Sequence, residues 1–175
     1  MNENLELIKI LCRQILLNKY IRMEELKRIF IDYSKKFKIK GNFKDIINEV
    51  RYRLENVGLN PKKITISDED YVVITIPFNS QYIKKNRLDE INLSLLALII
   101  NMIESQGGKI LQSELEAAFK KYSSRLKSFV SSNYLDLVDF PGDYEKYYVV
   151  TPLGLAIISD VKENLSEIVK SAKKM

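Results

Sequence analysis

Histidine is absent from the 175 residues, and there is one cysteine. Without histidine the chain has no imidazole general base and no Ser/His or Cys/His nucleophile pair, and it lacks the commonest metal ligand. A lone thiol, Cys12, excludes an internal disulfide and a cysteine-based zinc site. It falls within an apolar helical pattern and reads as a buried, inert side chain. Glycine and proline are scarce, and no tract is of low complexity. There is no phosphate-cradling loop, because Gly107-Gly108 is followed by a strand signal rather than by Lys-Ser/Thr opening a helix. The longest apolar run, residues 91–103, is shorter than the roughly 20 residues of a membrane span and is interrupted by Asn92, Ser94 and Asn101. The N-terminus has no basic leader with a small-residue cleavage site, which predicts no signal peptide. The expectation is an intracellular protein (cytoplasm or nucleoid, or nucleus) with no membrane partner.

What is there is ordinary globular material. Hydrophobic residues make up 46% and charged residues 29%, enough for one domain or two small ones. The net charge of +5 permits nucleic-acid contact without demanding it, since a patch matters more than a total. The acids fall where solvated helix faces and turns are expected: Glu24-Glu25, Glu114 and Glu116, Asp68-Glu69-Asp70, Asp143. No pair of them has the setting of an acid–base couple. The sequence predicts no enzyme, no cofactor and no metal.

The periodicity supplies an architecture. Leu5, Ile8, Leu11, Cys12, Ile15 and Leu16 recur at helical spacing over residues 3–18. A short extended link at Tyr20-Ile21 leads to a second helix over residues 22–33, with Met23, Leu26, Ile29, Phe30 and Tyr33 inward. A basic stretch over residues 34–41 ends at Asn42, a good N-cap. A third helix covers residues 43–57, with Gly58 at its C-terminal turn. The period then falls from 3.6 to 2 in residues 63–66 and 71–76, joined by a polar turn and stopped by Pro77. Three helices followed by a hairpin predict a winged helix.

The pattern repeats after a polar linker over residues 78–87. The helix around residues 91–103 is apolar on nearly every face, which predicts burial from several sides. Lys109-Ile110-Leu111 reads as a short strand. Ser113 with Glu116 reads as a capping box, and Ser123 or Ser124 as the cap of the next helix. Residues 135–140 and 147–150 form a second hairpin through Pro141-Gly142-Asp143. Thr151-Pro152 opens a last helix. The predicted fold class is mainly α with small β-hairpin wings (α+β): two tandem winged-helix domains, 1–77 and 88–175, joined by 78–87.

In a DNA-binding winged helix the third helix enters the major groove and the wing touches phosphate. The third helix of the first repeat presents Asp45, Glu49 and Glu55, which repel phosphate, so that surface reads as protein-facing. Its equivalent in the second repeat presents Ser124, Arg125, Lys127, Ser128, Ser131, Ser132 and Asn133 with Lys120 and Lys121 just before, and no acid. The candidate DNA contacts are therefore Lys120, Lys121, Arg125, Lys127, Ser128 and Ser131, with Lys35, Lys36, Lys62 and Lys63 as further basic positions. Any binding should be salt-sensitive and weakly selective. The candidate partner interface is Leu95, Ile99 and Met102 on the apolar helix, with Ile158, Val161, Leu165 and Ile168 on the last.

These motifs resemble the kite proteins, the kleisin-interacting tandem winged-helix elements of SMC complexes. The similarity rests on Phe43-Lys44-Asp45-Ile46-Ile47-Asn48-Glu49-Val50 with Leu54, on Asp70-Tyr71-Val72-Val73, on Asp89-Glu90-Ile91, and on Tyr148-Val149-Val150 followed by Leu153-Gly154. Within that family the first non-SMC element is most similar, without the zinc RING that follows its repeat, so no ubiquitin-ligase role is carried over. The resemblance implies a non-catalytic adaptor of chromosome organisation that binds a kleisin or a second kite and makes weak, non-specific contact with duplex DNA. The alternative is a dimeric winged-helix transcription regulator reading DNA through Arg125, Lys127 and Ser128. A winged-helix subunit of a transcription or sorting machine is a third reading.

Overall fold

The computed structural model describes the backbone of residues 3–39, 41–75 and 90–172, with side chains in the second half over residues 91–162. The chain divides into two compact units, Met1–Ser80 and Gln81–Met175. Each runs helix, strand, helix, helix, strand, strand, and unit 2 adds a 3-10 turn and a closing helix.

Unit 1 runs α1 (Glu3–Leu17), β1 (Tyr20–Arg22), α2 (Met23–Phe37), α3 (Phe43–Asn56), β2 (Asn60–Ile66) and β3 (Glu69–Thr75). Leu7, Ile8, Leu11 and Ile15 of α1, Leu26 of α2, Ile46, Val50 and Leu54 of α3, and Ile21 and Val72 of the sheet close one apolar core. The periodic stripes drive these helices together, since each buried aliphatic side chain contributes roughly 1.5–3 kcal/mol. Asn42 caps α3 as expected: its side chain accepts from the Asp45 N–H at 2.9 Å. At the other end the Gly58 N–H donates to Glu55 and the Leu59 N–H to Leu54. Gly58 has φ +81°, the left-handed turn such a helix end requires.

Three expectations change in unit 1. Residues 20–22 form a strand rather than a link, pairing Tyr20 with Val73 and Arg22 with Tyr71. A three-residue strand is too short to show alternation, so only its partner strand defines it. Helix α2 continues to Phe37 instead of ending at residue 33, because Phe37 packs on Tyr33 one turn earlier at 4.4 Å; Lys35 and Lys36 thus lie in its last turn. Strand β2 starts at Asn60 and includes Pro61. The sheet order β1-β3-β2 puts β2 on an edge, where a missing N–H is tolerated. The hairpin turns through Ser67 and Asp68, both with positive φ.

Unit 2 runs α4 (Glu90–Ser105), β4 (Lys109–Leu111), α5 (Gln112–Ala118), a 3-10 turn (Lys120–Tyr122), α6 (Ser123–Ser131), β5 (Leu135–Val138), β6 (Tyr147–Val150) and α7 (Pro152–Ala172). Its sheet order, β4-β6-β5, repeats that of unit 1. The core joins Leu96, Ile99, Ile100 and Ile103 of α4 to Leu115, Leu126, Phe129, Leu135, Tyr148 and Ile158. Two winged helices in tandem are therefore the observed fold.

The start of α7 follows the sequence. The Thr151 hydroxyl accepts from the Gly154 N–H at 3.1 Å and itself donates to the Asn133 and Tyr134 carbonyls. The capping box at Ser113 does not form. Leu111 is the residue before α5, so Ser113 already lies inside the first turn. Its N–H donates instead to the Glu145 carboxylate at 2.6 Å, reaching over from the wing loop. Glu116, freed from capping, accepts from Gln112 Nε2 at 2.8 Å and the Tyr148 hydroxyl at 3.2 Å. Neither Ser123 nor Ser124 caps α6, because the 3-10 turn runs straight into it from Tyr122.

Candidate nucleic-acid and partner interfaces

In unit 1 the two arginines of α3 are paired along the helix, and Lys44 in its first turn is exposed. Arg51 pairs with Glu55 at 2.8 Å and Arg53 with Glu49 at 2.7 Å, one helical turn apart. Such exposed pairs stabilise the helix by a few tenths of a kcal/mol at most, but they leave little cationic field for a phosphate. Asp45 is held by Asn42 Nδ2 at 2.7 Å. Tyr52 on the same helix (60%) and Val57 at its C-cap (72%) are exposed apolar side chains. In the wing, Lys63 pairs with Asp70 at 2.8 Å. That bond and one from Thr65 hold the Asp70 carboxyl below its ordinary range. Lys63 is therefore tied to the hairpin rather than extended toward a ligand, and Lys62 is half-buried beside it. Lys35 and Lys36 are exposed in the last turn of α2, where a cation complements the helix C-terminus. Lys36 also lies 5.3 Å from the Phe37 ring centroid.

Unit 2 differs. Lys120 and Lys121 on the 3-10 turn and Lys127, Ser124, Ser128 and Ser131 on α6 are all exposed. None of the three lysines has an ion-pair partner among the described residues. Arg125 is half-buried, with its guanidinium 5.6 Å from the Tyr122 ring centroid. One terminal nitrogen, Nη1, is buried without a hydrogen-bond partner. The structure thus brings Lys120, Lys121, Arg125, Lys127 and Ser128 onto one short segment. Ser131 spends its hydroxyl proton on the Ser128 carbonyl at 3.0 Å. Asn133 departs from the face: with φ 63° it terminates α6, its N–H donating to Val130 while that of Tyr134 donates to Phe129. The wing acids are partly engaged, Asp139 with Lys146 at 3.5 Å and Glu145 with the α5 N-terminus. Lys109 is clamped between Phe140 and Tyr147, 4.1 and 4.4 Å from their ring centroids.

The candidate partner residues require correction. Leu95, Ile99 and Ile158 are buried in the core of unit 2, and Met102 packs against it. Their stripe is occupied within the unit and offers nothing to another chain. Val161 is half-buried, while the side chains of Leu165 and Ile168 lie outside the described residues. Within unit 2, α4 is covered on one side. Its core face is Leu95, Leu96, Ile99, Ile100 and Ile103, and the opposite face carries Ile91 (62% exposed) and Leu98 (52%) with Ser94 and Asn101. The i, i+7 spacing of Ile91 and Leu98, opposite the denser stripe, was the available signal.

Cys12 is half-buried against the unit 1 core, and burial pushes its thiol up while Arg53 pulls the other way. The described residues contain no group of three or more Cys, Asp or Glu placed to hold a metal. None of their helices is long and apolar enough to cross a membrane.

No protein-family model matches the chain, and no curated protein matches it by sequence. Among solved structures, a chain of the Nse1-Nse3-Nse4 complex superposes with a TM-score of 0.53 at 17% identity, covering 89% of this chain and 84% of that one. At that identity the likeness is one of fold: this protein shares the architecture of a chain of that complex.

Proposed function

We propose that the protein is a non-catalytic adaptor subunit of an SMC-like chromosome-organising complex, binding a kleisin or a second kite protein and touching duplex DNA weakly through unit 2. The observation that carries this reading is the state of α3. In the position where a winged helix reads DNA, both of its arginines are paired with Glu49 and Glu55 one turn away, which leaves Lys44 in the first turn as its exposed cation, and Tyr52 and the C-cap residue Val57 stand exposed. Such a face favours a protein surface over a polyphosphate. The fold shared with a chain of a multi-protein assembly supports the same reading, as does the exposed apolar pair Ile91 and Leu98.

The second reading, a dimeric transcription regulator, is favoured by one feature: Lys120, Lys121 and Lys127 lie beside Arg125 with no ion-pair partner among the described residues. Titration against random and genomic duplex DNA at two salt concentrations, with solution mass recorded, separates the two. Sequence-selective binding at roughly nanomolar strength that survives physiological salt overturns the adaptor. Weak, salt-labile binding, with direct capture of a purified kleisin-like partner, supports it.

A further inference from the structure

Residues 120–128 of unit 2 join free positive charge to an aromatic face. No acidic residue lies between Glu116 and Asp136. Lys120, Lys121 and Lys127 are exposed and have no ion-pair partner among the described residues. Tyr122 is the residue immediately before α6 and is 41% exposed. The Arg125 guanidinium stands over its ring, 5.6 Å from the centroid, a contact that holds the ring in place. Tyr52 and Tyr144 are also exposed, but in other company. Tyr52 lies between Arg51 and Arg53, both paired with carboxylates. Tyr144 lies between Asp143 and Glu145.

A cationic segment attracts any polyanion, and the ring narrows the choice. In a duplex each base is covered on both faces by its neighbours. A protein then reaches base edges and phosphates, and an aromatic ring finds no face to stack on. In a single strand the bases can be splayed out, and every base offers a face to an aromatic side chain. Charge alone gives the opposite ranking, because a duplex presents its phosphates more densely than a single strand does. A preference for the single strand therefore has to come from the ring. We propose that residues 120–128 grip a single strand of DNA, with its phosphates on Lys120, Lys121 and Lys127 and an unpaired base stacked on Tyr122. The inference rests on the reading of unit 2 as the half that touches DNA. It names the form of DNA that this segment holds best, and it accounts for weak duplex contact as contact through phosphate alone.

The test is fluorescence anisotropy of the full chain with three labelled probes at one low salt concentration. They are oligo-dT, a duplex of the same length, and an abasic oligonucleotide that keeps sugars and phosphates without bases. Oligo-dT should bind about fivefold or more tighter than either of the others. Tyr122→Ala should remove that advantage and leave duplex and abasic binding unchanged. Tyr122→Phe, which keeps the ring, should retain it. The abasic probe reads the same contact with no substitution in the protein, so the result does not depend on how well a variant folds. Lys120→Ala with Lys127→Ala should weaken binding of all three probes. Equal binding of oligo-dT and the abasic probe, tighter binding of the duplex than of oligo-dT, or a loss in Tyr122→Phe as large as in Tyr122→Ala would overturn the proposal. So would competition by polyglutamate as strong as by unlabelled oligo-dT at equal charge, which marks a general polyanion face. Tighter binding of oligo-rU than of oligo-dT would overturn the DNA occupant in favour of RNA. The reading beneath fails differently. If no probe binds, unit 2 makes no DNA contact, whereas duplex and oligo-dT binding that both follow the lysines and ignore Tyr122 removes the stacked base alone.

Discussion

Removing Lys120 and Lys127 should flatten the salt dependence of DNA binding without altering the fold. Both side chains are exposed and without ion-pair partners among the described residues, so their loss costs little stability, within about 0.5 kcal/mol. With Lys121 they form a set of three solvated cations beside the half-buried Arg125. Each phosphate neutralised contributes about −0.9 to the slope of log affinity against log salt. Three contacts predict a slope near −2.7, or a loss of roughly 40-fold between about 50 and 200 mM salt. The Lys120→Ala, Lys127→Ala double variant retains one, for a slope near −0.9 and a loss of roughly threefold to fourfold. Anisotropy of a labelled duplex across a salt series reads both slopes. Substituting Lys35 and Lys36 by Ala should leave the slope unchanged, because those residues end α2 in the other unit. If the slope followed Lys35 and Lys36 and ignored Lys120 and Lys127, or if the wild-type protein showed no salt-labile binding at all, assignment of DNA contact to the α6 segment would be refuted.

Ile91→Ser with Leu98→Ser should leave the urea midpoint almost unmoved, since both side chains are exposed, while weakening capture of a kleisin-like partner; a large drop in the midpoint would show that the pair belongs to a core. Gly154→Ala places a methyl group against the Tyr134 carbonyl oxygen, with Val150 Cγ1 only 3.3 Å away, and should cost about 1–3 kcal/mol or more in denaturant unfolding. Tyr148 is buried, and desolvation together with Glu116 pushes its hydroxyl up to about 12 from 10.0. The unfolded chain therefore loses this proton first: the contribution is complete below about pH 10 and is lost as pH rises through about 12. Tyr148→Phe should cost about 1 kcal/mol at neutral pH by breaking the bond to Glu116, and should make the loss of stability between those limits shallower; an unchanged alkaline limb would count against the shift.

Local chemistry was legible wherever one or two adjacent residues decide the outcome. Asn42 before α3, Gly58 after it and Thr151-Pro152 before α7 each act through a side chain or a backbone angle of their own. Longer pairings were not legible. Strand β1 exists because β3 lies beside it. Glu145 caps α5 from a loop more than thirty residues away, while the nearer Ser113 and Glu116, which have the right spacing for a capping box, lie two positions too far along the helix and serve other partners.

The sequence by itself determined the class of molecule. The absence of histidine, the lone thiol, two runs of helical spacing each followed by a period-two hairpin, and the acid-free cationic segment of residues 120–128 are properties of residue order, and they led to two winged helices with unequal electrostatic faces. Only the tertiary structure decided which face of α4 was occupied. A helix apolar all round records no direction, and the choice between core and surface follows from which stripe its neighbours can cover. Leu95 and Ile99 lie under Phe129, Tyr148 and Ile158 in one core, and Ile91 and Leu98 remain outside because a helix can turn only one face to a single sheet-and-helix layer. The contact beside α3 has the same origin: Ile47, Pro61 and Val72 are distant in the chain and line one surface only when the wing folds back against the helix.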